Sequence, residues 1–186
     1  EQPLGTTTQL FFSTIFSIIV GTIPGIALFV TAEGGIKENK IVFKILDAVT
    51  NVLRSLPFII LMVAIVPLTK LIVGKSYGTT AAIVPLTLAA APFVTRIIES
   101  SLKEVDKGVI EAAKSFGATD IQIIFKVMIK EAIPSIVSGI TLAIINIIGY
   151  SAMAGAIGGG GLGQMAIAYG YQRYQIDITY VTVIIL

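Results

Sequence analysis

The chain contains no histidine and no cysteine among its 186 residues. Without histidine, a Ser-His-Asp triad and a histidine metal site are excluded, and without cysteine there can be no disulfides or thiolate metal sites. Two short motifs also fall short of a site. Gly149-Tyr150-Ser151 resembles a nucleophile elbow, but Met153 stands where the closing glycine should be. Gly74-Lys75-Ser76 resembles the end of a P-loop, but Thr69 stands where its first glycine should be. The sequence therefore predicts neither a catalytic nor a nucleotide site in this chain.

Charged residues are also scarce, at 13% of the chain against 55% hydrophobic, and the mean hydropathy is +0.92. A helix that crosses the hydrocarbon core needs roughly 20 mostly apolar residues. Residues 6–32 carry no charge over 27 positions, and residues 76–95 carry none over 20. Composition and run length together predict a polytopic, all-α membrane protein that forms a single domain over residues 1–186.

Five spans are predicted, the last of them incomplete. The uncharged run 55–69 is too short alone, so the second helix is expected to begin earlier, and the 41 uncharged residues 132–172 are expected to break at the glycine cluster 158–161. The final apolar run is too short to cross a bilayer, which predicts a chain that is incomplete at its C-terminus; the absence of an initial methionine predicts the same, or processing, at the N-terminus. The predicted spans are residues 7–32, 45–69, 77–102, 132–156 and, in part, 178–186.

Lysine and arginine are distributed unevenly among the connections, and cytoplasmic loops generally carry the excess. Nine basic residues fall in or beside the first and third connections, against three in the second and fourth. This bias predicts a cytoplasmic third connection, an external N-terminus and a cytoplasmic end for a completed fifth helix. The net charge of +2 is explained by this topology and does not indicate a nucleic-acid partner.

The clean spans contain no Asp, Glu or His of the kind that carries protons or cations through secondary transporters. They also lack paired broken helices in two repeated halves. If this protein moves a solute uphill, its energy must come from a partner.

Residues 111–134 form the longest polar interruption, and they overlap the third connection, which is predicted to be a coupling region over residues 104–130. A helix from about Asp106 to Phe116 is predicted to end at Gly117, which suits the left-handed conformation. Thr119 and Gln122 have capping-box spacing and predict the start of a second helix. In that helix four residues at i, i+3, i+4 and i+7 predict one apolar face: Ile121, Ile124, Phe125 and Met128. An ordinary solvated loop helix is the alternative interpretation of this local pattern.

The order Glu111-Ala112-Ala113, three further residues, then Gly117 resembles the coupling motif of ABC importer permeases. Three further segments, 54–60, 82–87 and 91–93, together with the stretch 149–174, resemble the methionine-importer permeases in order and spacing. The resemblance covers most of the chain from about residue 46 to residue 174. It is weakest at the two ends.

The resemblance implies a type I ABC importer permease of the cell inner membrane, with five spans per subunit and a cytoplasmic coupling-helix hairpin. It also implies a homodimer, two cytoplasmic ATPase subunits that bind ATP and Mg²⁺, and an external methionine-binding protein. No cofactor is expected in this chain. The residues expected to contact the ATPase are Glu111, Ala112, Ala113, Ser115, Phe116, Gly117 and Ala118.

Polar or soft residues of the fourth span are expected to line a central path between two subunits. The candidates are Asn146, Tyr150, Ser151 and Met153. Met153 is a candidate gate, because a methionine side chain is flexible and polarisable; packing within a helix interface is its alternative role. Arg54 is interpreted as an anchor that snorkels to the cytoplasmic interface, with a role in coupling as the alternative.

Three functions thus remain open. The first is ATP-driven methionine import by alternating access, and the second is the same mechanism with another small amino acid or related solute. The third, from a different class, is a passive channel or structural membrane subunit, in which the hairpin would be only a loop helix.

Overall fold

The computed structural model describes residues 2–185, which form helices joined by short connections and contain no β-strand. The first five helices are α1 Gln2–Thr31, α2 Lys40–Ser55, α3 Phe58–Ala64, α4 Val66–Val73 and α5 Thr79–Lys103. The next are α6 Lys107–Ser115, α7 Asp120–Gln122 and α8 Ile129–Ala156, followed by α9 Gly161–Met165 and α10 Ile176–Ile185. Two π-helical segments, Ile123–Met128 and Ala166–Tyr171, continue α7 into α8 and extend α9.

Three of these helical stretches are long and apolar enough to cross a membrane: Leu4–Thr31, Thr79–Lys103 and Asp120–Ala156. The bent pair α2 and α3 provides a fourth if the two are counted as one span. Helix α10 lies at the predicted fifth span but has only 10 residues, and Leu186 lies outside the described residues. The predicted all-α membrane class is confirmed. The break after the fourth span is also where the sequence predicted it, because α8 ends at Ala156.

The expectation of one continuous helix over residues 45–69 is wrong. The structure divides this region into α2, α3 and α4, with an angle of 105° between α2 and α3. Leu56 is extended, at φ −74° and ψ 128°, because the ring of Pro57 disfavours the helical conformation of the residue before it. A second break follows at Ile65, beside Pro67 in the first turn of α4.

Helices α1 and α5 form the most extensive packing pair in the described chain. A Cβ atom at Gly21 would lie 2.6 Å from the Ala91 carbonyl oxygen, and one at Gly25 would lie 2.7 Å from the Thr95 carbonyl oxygen. The Thr95 hydroxyl donates a hydrogen bond across this contact to the Gly21 carbonyl, at 3.1 Å. The spacing of Gly21 and Gly25 therefore serves close helix packing, as small residues do in membrane helices.

The largest buried cluster lies at one end of the bundle, which we call the hairpin end because residues 106–122 lie there. Its core residues come from α5, from the π-helical segment before α8 and from α8 itself, and include Leu102, Ile123 and Met128. The first connection reaches the same end, since Ile36 packs against this cluster. The two connections that carry most of the basic residues are therefore on one side of the molecule.

Candidate functional site

The hairpin begins with α6, whose two ends are both capped. Asp106 accepts a hydrogen bond from the Gly108 amide at 2.6 Å. At the other end Gly117 has φ +78°, its amide donates to the Lys114 carbonyl at 2.9 Å, and the Ala118 amide donates to the Ala113 carbonyl at 3.1 Å. These two bonds form a Schellman motif, which requires a left-handed residue at Gly117. The predicted end of the first helix is confirmed.

The second half of the hairpin starts with the predicted capping box. The Thr119 amide donates to Gln122 Oε1 at 3.0 Å, and the Gln122 amide donates to Thr119 Oγ1 at 3.4 Å. A π-helical segment then follows at Ile123–Met128, which the sequence did not predict.

The four residues of the predicted apolar face are divided in the structure between buried and exposed positions. Ile124 and Met128 are buried, but Ile121 and Phe125 are 70% and 55% exposed, and Ile123 is fully buried in their place. The i→i+5 bonding of a π-helix changes the angular positions of successive side chains. The spacing rule for an α-helix therefore does not hold across these residues.

The seven predicted coupling residues divide into two groups. Ala113 and Ala118 pack inward against the core cluster at the hairpin end. The other five residues are exposed, and Phe116 is exposed to 92%. The exposed group is Glu111, Ala112, Ser115, Phe116 and Gly117. The hairpin therefore has an exposed phenylalanine at its tip.

A cavity of about 440 Å³ separates α6 from the ends of α1 and α5. Its apolar surface includes Phe29, Leu102 and Ile110, and both Glu111 and Lys114 line it. Residues 33–36 of the first connection form its opposite wall. The hairpin is therefore anchored through its inner residues, while a groove with charges of both signs remains open between α6 and the first connection.

On α8, three of the four predicted path residues share one face. Asn146, Tyr150 and Met153 follow one another at i, i+4 and i+7, the spacing of a single helical stripe. Met153 is 47% exposed in the described chain. These three side chains therefore lie on one face of α8.

Ser151 is placed differently and does not face such a path. It is 2% exposed, and its hydroxyl donates to Gln9 Oε1 at 2.9 Å. The Gln9 amide in turn donates to the Gly159 carbonyl, and Thr6 Oγ1 accepts from the Leu162 amide at 2.7 Å. Ser151 thus belongs to a buried polar contact that holds α1 against the glycine turn. Its position one residue after Tyr150 turns it away from the stripe of Asn146, Tyr150 and Met153.

Arg54, which was expected to snorkel to the cytoplasmic interface, is exposed and lies beside a cavity. Arg54 lines a cavity of about 190 Å³, which we call the Arg54 cavity, together with Phe58 of α3, Phe93 of α5 and both Asn146 and Tyr150 of α8. Phe93 lies near the middle of the Thr79–Lys103 span, so the cavity lies well inside the predicted membrane region. The bend after α2 explains the difference, because a straight helix would have left Arg54 near a membrane surface.

An ionic cluster joins α2 to α5, and sequence reasoning missed it. Arg96 donates to Asp47 and, at 2.9 Å, to Asn51 of α2; on α5 its other terminal nitrogen lies 2.7 Å from Glu99. Lys103 also pairs with Glu99 at 2.7 Å, and the Glu99 side chain is only 5% exposed. The spacing of these residues in the sequence is consistent with such a cluster. Asp47 and Asn51 lie at i and i+4, and Arg96, Glu99 and Lys103 lie at i, i+3 and i+7.

The chain is similar to known proteins along most of its length. A family model described as "Binding-protein-dependent transport system inner membrane component" matches residues 23–186. The "Probable D-methionine transport system permease protein MetI" of Vibrio cholerae is 55% identical over 162 residues, which cover 87% of this chain and 72% of that protein. The "Methionine import system permease protein MetP" of Bacillus subtilis is 48% identical over 159 residues, covering 86% of this chain and 72% of that protein.

Among solved structures, one chain from the inward-facing "MetNI methionine ABC transporter", in its native crystal form, aligns with a TM-score of 0.96. It is 42% identical, and the match covers 99% of this chain and 85% of that chain.

Proposed function

Because the chain belongs to the family of binding-protein-dependent transport system inner membrane components, we propose that it is the membrane subunit of an ATP-driven methionine importer. Its relatives are methionine transport permeases, and it shares their fold at high structural similarity. The proposed mechanism is alternating access, in which a path through the membrane opens first to one side and then to the other.

The observation that carries this proposal is the construction of the hairpin. Its outer face presents Glu111 and Phe116 to a partner, while Ala113 and Ala118 fix its inner face to the core cluster. Helix α6 follows α5 after three residues, and the same hairpin continues through a π-helical segment into α8. A force applied to the exposed face would therefore reach two spanning helices directly.

The partners follow from this arrangement. We propose that two cytoplasmic ATPase subunits, which hold ATP and Mg²⁺, bind the hairpins of two copies of this chain. A solute-binding protein would deliver methionine to the opposite side. This chain would then be a transport component without catalysis or a cofactor of its own, in a cell inner membrane with the hairpin in the cytoplasm.

Uptake into proteoliposomes tests the proposal directly. The chain is produced with its ATPase, reconstituted, and supplied with the solute-binding protein outside and ATP inside. We expect accumulation of radiolabelled methionine that requires ATP and that unlabelled methionine competes away. Accumulation of a different amino acid would support the same mechanism with another substrate. Equilibration of methionine across the membrane without ATP would support a passive channel.

Replacement of Met153 tests the gate. Met153 is 47% exposed on the stripe shared with Asn146 and Tyr150, where a second subunit would face it. We expect Met153→Ala to widen the narrowest point, and so to raise both solute leak and basal ATP hydrolysis in liposomes. Ile145→Ala, at another exposed apolar residue of α8, is the control and should change neither. If Met153→Ala leaves leak and hydrolysis at wild-type values, Met153 is not the gate.

A further inference from the structure

We propose that the Arg54 cavity is a transient binding site for the carboxylate of the transported amino acid. The inference rests on the proposed function, since it assigns a step of transport to residues inside the membrane. Arg54, Asn146 and Tyr150 supply the polar groups of the cavity, and Phe58 supplies an aromatic wall.

The first support is the unpaired charge of Arg54. Arg54 is exposed, and within residues 2–185 its guanidinium has no ion-pair or hydrogen-bond partner, whereas Arg96 contacts acidic and amide groups through both terminal nitrogens. A cation within the membrane region is expensive, and such groups normally pair or serve a substrate pathway. A guanidinium presents a rigid fork of donors that matches a carboxylate in two parallel hydrogen bonds. Arg54 therefore has the chemistry of an anion site whose partner comes from outside the chain.

The second support is the composition of the surrounding wall. Asn146 and Tyr150 bring an amide and a phenol to the same cavity, and neither side chain is engaged in a hydrogen bond within residues 2–185. The rings of Phe58 and Tyr150 stack with centroids 4.9 Å apart and planes at 14°. Thioether sulfurs contact aromatic rings favourably, and an amide oxygen or a ring face accepts an ammonium group. Each part of a methionine zwitterion thus has a matching group.

The third support is what the cavity excludes. Of the residues that line it none is acidic, so a lysine or arginine substrate would bring its side-chain cation close to Arg54 without compensation. The volume of about 190 Å³ is below the roughly 300–1,000 Å³ of pockets for drug-sized ligands, which suits one small solute. The site therefore selects a small amino acid with an uncharged side chain.

Photo-crosslinking tests this binding without relying on transport. The reconstituted permease–ATPase complex is illuminated with photo-methionine, a diazirine analogue that keeps the carboxylate, and labelled peptides are located by mass spectrometry. We expect labelling of Phe58 or Tyr150 that methionine suppresses and that methioninol, which lacks the carboxylate, does not. Suppression by methioninol as effective as that by methionine would overturn the carboxylate assignment, even if transport is intact.

Variants of Arg54 provide a second test of the proposed site. Arg54→Gln should reduce both labelling and the rate of methionine uptake about tenfold, the loss of one charge-assisted contact, while ATP hydrolysis continues. Arg54→Lys should recover part of both, since it keeps the charge. Lys44→Gln removes an exposed cation from the same helix and should change neither. If wild-type complex transports methionine and Arg54→Gln transports and labels equally well, the site is wrong while the proposed function stands; if wild type does not transport, the proposed function itself fails.

Discussion

Gly117→Pro is expected to release the ATPase from the purified complex and to reduce ATP-dependent uptake to background. Gly117 has φ +78°, whereas proline holds φ near −65°, so the left-handed cap cannot form. Proline also lacks the amide hydrogen that Gly117 donates to the Lys114 carbonyl at 2.9 Å. The hairpin would lose the angle that presents Glu111 and Phe116 together. Co-purification stoichiometry and uptake in proteoliposomes measure the two effects.

Two further variants separate this effect from general damage. Gly74 ends α4 with φ +76° and donates its amide to the Lys70 carbonyl at 2.8 Å, so Gly74→Pro imposes the same defect far from the hairpin. We expect Gly74→Pro to retain the ATPase. Gly117→Asn should retain it as well, because asparagine tolerates the left-handed conformation. Full ATPase association in Gly117→Pro, or equal loss in Gly117→Asn, would show that the cap does not set the coupling surface.

The parts of this fold that the sequence predicted are those that depend on local chemistry. Uncharged runs located the long helices, and turn residues located their ends, since a Schellman glycine and a capping box act within a few residues. Gly117 and Thr119 therefore lie in the structure as the sequence predicted. The direction that the chain takes after a break is not determined by local residues. Pro57 indicates a break in the helix, but the 105° angle between α2 and α3 depends on how α3 packs against α5 and α8.

The same angle bears on the position of Arg54. A straight helix over 45–69 would hold Arg54 near a membrane surface, where it could snorkel. Because α2 ends at this bend, Arg54 and Phe93 line one cavity. The π-helical segment at Ile123–Met128 likewise changes the predicted apolar face, because its i→i+5 bonding shifts the angular positions of successive side chains. Ser151 could have been placed from sequence, since helical spacing separates it from Asn146 and Tyr150.

The contacts of Arg96 depend on the same long-range packing, and their removal has the second large expected effect. Arg96→Met should destabilise the chain by about 3 kcal/mol, the lower end for breaking a buried ion pair, because Lys103 still contacts Glu99. This corresponds to a fall of roughly 6–12 °C in the thermal midpoint. Thermal unfolding in detergent measures it. The loss arises because Asp47 and the buried Glu99 would keep their negative charges after their shared cation is gone.

A double variant identifies charge, not shape, as the cause. In Arg96→Met/Glu99→Gln the buried carboxylate is also removed, so the double variant should be more stable than Arg96→Met alone. Lys103→Met is the matched control: its side chain is 50% exposed, and exposed pairs contribute about 0–1 kcal/mol. Equal losses in Lys103→Met and Arg96→Met, or a double variant no better than the single one, would contradict the ionic account. We expect a larger loss of stability in Arg96→Met than in Lys103→Met, because Arg96 joins two helices around a carboxylate that has almost no access to water.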